Sequence, residues 1–110
     1  MNGKENTEYK IKFSPNCLIE IEDICEYINV VLKAEDASNR LRSGIIDKVM
    51  LLRYSPKMYT EIGKTDKLKR VYRRIVIGNY IMLYTIIEED NVVLISHMYY
   101  SGKNYLEELI

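Results

Sequence analysis

The stretch HMYYSGKNY, residues 97–105, collects side chains that can move protons and hold a phosphate. His97 is the only histidine of the chain, and histidine exchanges protons readily near neutral pH, which suits a general acid or base. Lys103 follows Gly102 in a predicted turn, where its ammonium group could meet a phosphate. The alternatives are structural: a hydrogen-bonded histidine at the end of a strand, and a solvated lysine near the start of a helix.

Two neighbouring tyrosines in this stretch predict a ring that faces a partner. In a continuing strand Tyr99 and Tyr100 point to opposite faces, so both cannot lie in the core. One ring must therefore face solvent or a partner, which suits base stacking or a protein interface. The same alternation places His97 on the face of Val93 and Ile95.

The densest basic stretch is KLKRVYRR, residues 67–74, which contains Arg70, Arg73 and Arg74. Arg73 and Arg74 are adjacent in a predicted strand, so they point to opposite faces and one of them lies among apolar neighbours. Such an arginine needs an anionic partner, either a carboxylate of the protein or a phosphate. The alternative is an edge strand whose charges are solvated.

The charge balance limits the kind of partner. The chain carries 16 Lys/Arg and 16 Asp/Glu, so its formal net charge is zero. This argues against nucleic-acid binding driven by bulk charge. Residues 64–103 nevertheless hold seven basic against four acidic residues, a surplus of three. We therefore expect an anionic partner to meet the second half of the chain.

The residue types of a resident metal or cofactor are sparse. Cys17 and Cys25 are eight residues apart in one helical pattern, too far for a mutual disulfide, and one histidine does not complete a zinc site. The sequence has no glycine-rich phosphate loop and no zinc-protease or serine-hydrolase motif. We predict no cofactor, no metal and two buried thiols.

Periodicity indicates the elements that would position these residues. Tyr9, Ile11 and Phe13 alternate with lysines as in a half-buried strand, and Ser14-Pro15 is typical of a helix start. Two amphipathic helices follow, with a short break near residues 33–36 that makes them an antiparallel hairpin. Their predicted buried positions are Leu18, Ile21, Cys25, Ile28 and Leu32, then Ala37, Leu41, Ile45, Val49 and Leu52.

The second half predicts three consecutive strands, VYRRIVI, YIMLYTIIE and VVLISHMYY, with short connections that make neighbours antiparallel. The middle strand is apolar on both alternating faces, so it should be covered on both sides. Residues 57–70 are predicted to be a basic connecting loop, and YLEEL a short C-terminal helical turn. The predicted fold is α+β, in the order β-α-α-β-β-β, with an antiparallel sheet and the helix hairpin on one face.

Length and composition predict one small domain over residues 1–110, of which the polar residues 1–7 are flexible. The longest apolar runs fall short of the ~18 residues of a membrane helix, and the first residues lack the apolar stretch of a signal peptide. We therefore expect a soluble, cytoplasmic protein without membrane contact.

Three of these segments, in their order, resemble the RelE/ParE superfamily of bacterial toxins from type II toxin–antitoxin pairs. They are the strand and capped helix YKIKFSPNCLIEIEDICEYI, the hairpin RRIVIGNYIMLY and the ending ISHMYYSGKNYLEEL, which together span nearly the whole chain. The positions that match the hairpin and ending of the family are Arg73, Gly78, Tyr80, Tyr84, His97, Lys103 and Tyr105.

The resemblance implies a compact toxin of the plasmid-stabilisation kind, held by a cognate antitoxin that lays a helix or strand on it. It implies one of two activities: the RelE-like branch cleaves messenger RNA on the ribosome, and the ParE-like branch inhibits DNA gyrase by binding. In the cleaving branch, basic residues stabilise the phosphate while a tyrosine or histidine moves protons at the 2′-hydroxyl. The candidate catalytic residues would be His97, Tyr99 and Tyr105, and the phosphate- or target-binding residues Arg70, Arg73, Arg74 and Lys103.

Departures from the family pattern favour binding over cleavage. Three positions where the family has arginine hold other residues here. The first holds Ile81, the second aligns with Val76 or Ile77, and the third aligns with Lys103 or Tyr100. Loss of a donor at a transition-state oxyanion costs ~2.7–4 kcal/mol. We predict a toxin that binds and inhibits a DNA-handling enzyme such as gyrase. The alternatives are a metal-independent endoribonuclease acting on ribosome-bound messenger RNA, and a degenerate, non-toxic partner-binding domain. Any of the three could form a homodimer.

Overall fold

The computed structural model describes residues 8–63 and 70–102 of the chain. Its elements are β1 (Lys10–Phe13), α1 (Pro15–Glu26), α2 (Glu35–Leu51), β2 (Glu61–Gly63), β3 (Tyr72–Ile77), β4 (Tyr80–Ile87) and β5 (Val92–Tyr100). A π-helical turn at Tyr27–Val31 extends α1, and a 3-10 turn at Glu88–Asp90 precedes β5. The α+β prediction is confirmed, whereas the predictions of a flexible segment at residues 1–7 and of a C-terminal helical turn concern residues outside those that the structure describes.

The five strands form one mixed sheet in the order β1-β5-β4-β3-β2. Strands β3, β4 and β5 are antiparallel, as predicted. β1 instead runs parallel to β5, with Lys10 opposite Val92 and Phe13 opposite Ile95. The prediction of a wholly antiparallel sheet is therefore wrong at this edge. No short turn joins these two strands, so the local sequence does not constrain their relative direction.

The predicted loop at residues 57–70 contains the short strand β2, which pairs antiparallel to β3. Two side chains of the sheet hold the segment before it. The Tyr84 hydroxyl donates to the Pro56 carbonyl at 2.7 Å, and Arg73 donates to the carbonyls of Tyr59 at 2.7 Å and Lys57 at 3.2 Å. Three residues that include a glycine are too few for a periodic pattern, so the sequence did not predict β2.

The main core lies between the helix hairpin and one face of the sheet. Its buried residues are Cys17, Ile21, Cys25, Ile28, Leu41, Ile45, Val49, Leu52, Ile75, Ile77, Met82, Tyr84, Val93, Ile95 and Met98. The predicted helix positions are confirmed, with Ala37 partly buried, except at Leu18 and Leu32, whose side chains are 51% and 55% exposed. Leu32 follows the π-helical turn, which shifts the phase of the helix by one residue. Cys17 is buried where Leu18 was expected, and both cysteines are buried and free.

The opposite face of the sheet, which we call the distal face, carries a second and smaller cluster. It consists of Ile81, Leu83 and Tyr99, with Ile62 and Tyr72 packed against them. The central strand β4 is therefore buried on both faces, as its sequence predicted. In the part of the chain that the structure describes, no helix is both long and apolar enough to cross a membrane.

Positive φ angles occur where the chain reverses direction. Gly78, the first residue of the β3–β4 turn, has φ 57°, whereas Asn79 does not have a positive φ, which is the pattern of a type II′ hairpin turn. Lys33 has φ 54° immediately after the π-helical turn, in the left-handed conformation that commonly ends a helix.

Candidate functional site

A β-bulge in β5 sets the direction of the candidate site residues. Ile95 pairs with Tyr84 and His97 pairs with Leu83, which leaves Ser96 as the extra residue. Because one extra residue reverses the facing of the side chains that follow it, His97 lies on the distal face. The prediction that His97 shares the face of Ile95 and the apolar residues before it is therefore wrong.

Ser14 holds this bulge from the end of β1. Its backbone N–H donates to the Ile95 carbonyl at 2.9 Å, and its hydroxyl donates to the Ser96 carbonyl at 2.8 Å. The same hydroxyl oxygen accepts the N–H of Cys17 at 3.0 Å, which makes Ser14 the N-cap of α1. One residue therefore both starts the helix and anchors the strand that carries the candidate site.

His97 lies between an aromatic ring and a carboxylate. Its ring stacks on that of Tyr99, with centroids 5.3 Å apart and an interplanar angle of 12°. Its Nδ1 atom lies 3.6 Å from Oε2 of Glu20, whose other oxygen accepts the Met98 N–H at 3.0 Å. The sequence did not predict a role for Glu20, because it belongs to the acidic surface of α1 and no local pattern links it to β5.

The two neighbouring tyrosines differ as predicted, since Tyr99 is 7% exposed and Tyr100 is 58% exposed. The Tyr100 ring lies against Gly102, where an added Cβ would come within 2.6 Å of it. It also makes an edge-on contact with Tyr80, with centroids 6.1 Å apart. Burial, with the Tyr100 hydroxyl nearby, raises the pKa of Tyr80. Tyr100 thus presents an exposed, supported ring at the end of β5.

The structure separates the candidate arginines. Arg74 is exposed and pairs with Leu83, which in turn pairs with His97, so these three side chains form one row on the distal face. Two strand spacings of ~4.8 Å separate the backbones of Arg74 and His97. Arg73 points to the helix side, is 14% exposed and forms an ion pair with Glu61 at 3.0 Å. The sequence predicted that a buried arginine here would bind either a carboxylate of the protein or a phosphate, and Arg73 binds a carboxylate.

The remaining candidates do not add to this row. Arg70 is exposed and lies 3.8 Å from Glu89 in an ion pair. Lys103 and Tyr105 lie outside the described residues. Burial, together with the Glu20 carboxylate, raises the pKa of the Cys17 thiol to about 12, so this thiol stays protonated at neutral pH and is not a nucleophile.

Among the described residues, the candidates that share the distal face are therefore His97, Tyr99 and Arg74. Within residues 8–63 and 70–102, no group of three or more His, Cys, Asp or Glu side chains is arranged to hold a metal ion. An imidazole beside a carboxylate can accept or donate a proton, and a guanidinium in the same row favours an anionic or hydrogen-bonding ligand.

The sequence matches the profile of the family described as the ParE toxin of the type II toxin–antitoxin system parDE, over residues 11–105. The chain belongs to this family. The resemblance to the RelE/ParE superfamily is confirmed, and the chain is the toxin of a type II toxin–antitoxin system. No protein of curated function matches this ParE-family sequence significantly.

Solved structures share the fold at low sequence identity. The chromosomal ParDE toxin–antitoxin system of P. aeruginosa matches with a TM-score of 0.66 and 9% identity, over 86% of this chain and 97% of that chain. The toxin–antitoxin complex RelBE2 of Mycobacterium tuberculosis matches with a TM-score of 0.62 and 13% identity, over 88% and 95%. An archaeal RelE–RelB complex of Pyrococcus horikoshii matches with a TM-score of 0.58 and 15% identity, over 87% and 98%.

Proposed function

We propose that this ParE-family toxin acts by binding DNA gyrase and inhibiting it, without cutting a nucleic acid. The position of Arg73 supports binding over cleavage. Its guanidinium is held by Glu61 and two backbone carbonyls on the helix side of the sheet, away from His97 and Tyr99. A cleaving site would need several cations converging on one scissile phosphate, and among the described candidates Arg74 alone shares the face of His97.

The proposal is tested by adding purified toxin to gyrase and following the supercoiling of relaxed plasmid DNA. We expect supercoiling to fall as the toxin is titrated, while an unrelated topoisomerase still relaxes the supercoiled form of the same plasmid at an unchanged rate. Full supercoiling at a large excess of toxin would refute gyrase as the target.

The exposed ring of Tyr100 allows a sharper version of this assay. Tyr100→Ala should weaken inhibition, because the side chain is 58% exposed at the end of β5 and aromatic rings dominate many interfaces. Tyr54→Ala is the matched control, since it removes a tyrosine that is 66% exposed elsewhere, at the end of α2. Equal inhibition by both variants would exclude Tyr100 from the gyrase contact.

The row on the distal face favours a second candidate function, a metal-independent endoribonuclease. His97 would move the proton of a ribose 2′-hydroxyl, with Tyr99 beside it, and Arg74 would meet the phosphate. Tyr105 and Lys103 are the further predicted members. Primer extension on RNA from expressing cells should then show discrete cuts that disappear in His97→Ala. Intact transcripts in cells that stop growing would exclude cleavage, and unchanged growth on induction would favour the non-toxic domain.

We further propose that a cognate antitoxin covers the apolar groove between α1 and α2 with an amphipathic helix. The groove has a volume of about 390 Å³ and is lined by Phe13, Leu18, Ile21, Ile45 and Ile46, with the Glu22–Arg42 pair at its rim. The side chains of Leu18 and Ile46 are 51% and 60% exposed, so without a partner these apolar groups stay in contact with water. The titles of the three structural neighbours, which describe toxin–antitoxin systems or complexes, support a partner of this class.

The antitoxin proposal is tested by co-expressing the toxin with the small protein encoded next to it. Ile46→Asp should abolish co-purification, because it places a charge in the apolar groove. Val76→Asp is the control, since Val76 is 54% exposed on β3, away from the groove. Loss of co-purification in both variants, or in neither, would contradict this location.

A further inference from the structure

The carboxylate of Glu20 takes the place of a neighbouring strand beside the second half of β5. β1 pairs with β5 only as far as Ile95. Beyond that point, Oε1 of Glu20 accepts the Met98 N–H at 3.0 Å. The backbone therefore holds one carboxylate oxygen, and the other, Oε2, lies 3.6 Å from Nδ1 of His97. Glu20 is thus positioned independently of the histidine that it faces.

The surroundings of His97 Nδ1 determine which ring nitrogen carries the proton. Nδ1 is buried and has no hydrogen-bond partner among residues 8–63 and 70–102 at the observed distance. An approach by roughly 0.5 Å would bring it within hydrogen-bond range of Glu20 Oε2. Because an ionised carboxylate only accepts hydrogen bonds, this contact is favourable when Nδ1 carries the proton. The burial of Nδ1 makes an unpaired state costly.

We propose that Glu20 is a positioning residue that holds His97 in its Nδ1-protonated tautomer and leaves Nε2 to accept a hydrogen bond from a hydroxyl group of a bound molecule. The His97 side chain is 26% exposed although Nδ1 is buried, so its exposed part lies elsewhere on the ring. The stacked Tyr99 ring fixes the plane of the imidazole. When the hydroxyl proton moves to Nε2, the imidazolium that forms lies beside the Glu20 carboxylate, which stabilises its positive charge. The inference holds whatever macromolecule the toxin attacks.

The tautomer can be measured directly, because the chain has a single histidine and gives one set of imidazole signals. The toxin is labelled with ¹⁵N at histidine and measured in alkaline buffer, where an imidazole is neutral. A long-range ¹H–¹⁵N correlation spectrum then distinguishes the protonated from the unprotonated ring nitrogen. An unconstrained histidine in water favours the proton on Nε2. Here we expect the Nδ1-protonated form to dominate by roughly tenfold, since replacing a neutral hydrogen bond with one to a charged acceptor shifts an equilibrium constant by about that factor.

Glu20→Gln should invert this preference. The Met98 N–H needs an oxygen acceptor, so the amide oxygen takes that bond and the amide NH₂ group faces His97. An NH₂ group donates, so Nδ1 becomes the acceptor and the proton moves to Nε2. Glu26→Gln is the matched control, because it removes the same charge from an exposed position of the same helix. It should leave the wild-type tautomer unchanged.

Acylation by diethyl pyrocarbonate gives an independent measure of Nε2. The unprotonated nitrogen attacks the reagent carbonyl and displaces ethyl carbonate; the acylated ring then loses its Nδ1 proton to water, and ethyl carbonate takes up a proton and breaks down to carbon dioxide and ethanol. We expect a several-fold slower reaction in Glu20→Gln than in the wild type or in Glu26→Gln. An Nε2-protonated wild type, an unchanged tautomer in Glu20→Gln, or an unreactive wild-type Nε2 would each overturn the proposal. The wild-type spectrum alone decides the matter if Glu20→Gln does not fold.

Discussion

Replacing Tyr84 with phenylalanine tests how the segment before β2 is held on the sheet. The Tyr84 side chain is fully buried, and its hydroxyl donates to the Pro56 carbonyl at 2.7 Å. Removing the hydroxyl leaves that carbonyl without this donor, so we expect the free energy of unfolding to fall by ~1–3 kcal/mol at neutral pH. In a domain of this size, each kcal/mol corresponds to a fall in Tm of roughly 4–8 °C.

The effect of Tyr84→Phe on the free energy of unfolding depends on pH, and this dependence shows whether the buried hydroxyl causes it. Burial raises the pKa of Tyr84 from 10.0 to about 12. Because the folded-state pKa is the higher one, the contribution of Tyr84 to stability is complete below pH 10 and is lost as the pH rises from 10 to 12. With these two pKa values, ionisation of Tyr84 lowers the free energy of unfolding of the wild type by roughly 1.4 kcal/mol at pH 11. Tyr84→Phe lacks the group, so the stability gap between the two proteins should narrow by about that amount.

Urea denaturation followed by far-UV circular dichroism measures this gap, since the chain has no tryptophan for fluorescence. The two proteins are compared near pH 8 and near pH 11, so that groups they share cancel in the difference. Tyr54→Phe is the control, because it removes a hydroxyl from a side chain that is 66% exposed, and its stability should stay within ~0.5 kcal/mol of the wild type. A gap of the same size at both pH values, or no gap near pH 8, would refute the reasoning.

Three further substitutions test other contacts of the fold. Arg73→Lys keeps the charge but cannot reproduce the bonds to Glu61 and two carbonyls, so it should cost ~1–2 kcal/mol in urea denaturation. It should also speed hydrogen exchange at the Arg74 N–H, which donates to the Thr60 carbonyl of the segment before β2 at 3.0 Å; an unchanged exchange rate would show that Arg73 does not hold this segment. Gly78→Ala should cost ~1–2 kcal/mol in the same assay, because its φ of 57° suits glycine and not alanine; unchanged stability would argue against backbone strain. Ser14→Ala removes the N-cap of α1, so the free energy of unfolding should fall by ~0.5–2 kcal/mol in the same assay. It also removes the bond to the Ser96 carbonyl, so the His97 resonances should shift; unshifted resonances would show that Ser14 does not hold the bulge.

Features that depend on local sequence were predicted correctly. The start of α1 at Ser14-Pro15 depends on side-chain capping, and the burial of α2 depends on helical spacing, so each is visible in a short window. The β3–β4 hairpin likewise needs only a glycine turn between apolar strands. Opposite exposure of the two adjacent tyrosines at the end of β5 followed from alternation alone.

Features that depend on distant pairing were not predicted. The parallel β1–β5 contact and the bond from Met98 to Glu20 each join residues about 80 positions apart, and Ser14 holds the bulge at Ser96 across a similar separation. One inserted residue changes the facing of a strand end without any change in composition, so the sequence placed His97 on the wrong face. Arg73 was recognised as needing an anion, but its choice of Glu61 depends on β2, which is too short to predict.

The parallel contact between β1 and β5 also governs the order in which the toxin can assemble as it is synthesised. In the sheet that the described residues form, β1 is an edge strand that neighbours β5 alone, and Lys10 precedes its partner Val92 by 82 residues. At ribosomal speeds of roughly 5–20 residues per second, about 4–16 s pass before that partner exists. Until then β1 has no strand to pair with, and the apolar side of the helix hairpin lacks the core residues that β5 supplies. The sheet that carries His97 is therefore completed only after β5 has been made, so the candidate site is among the last parts of the fold to form.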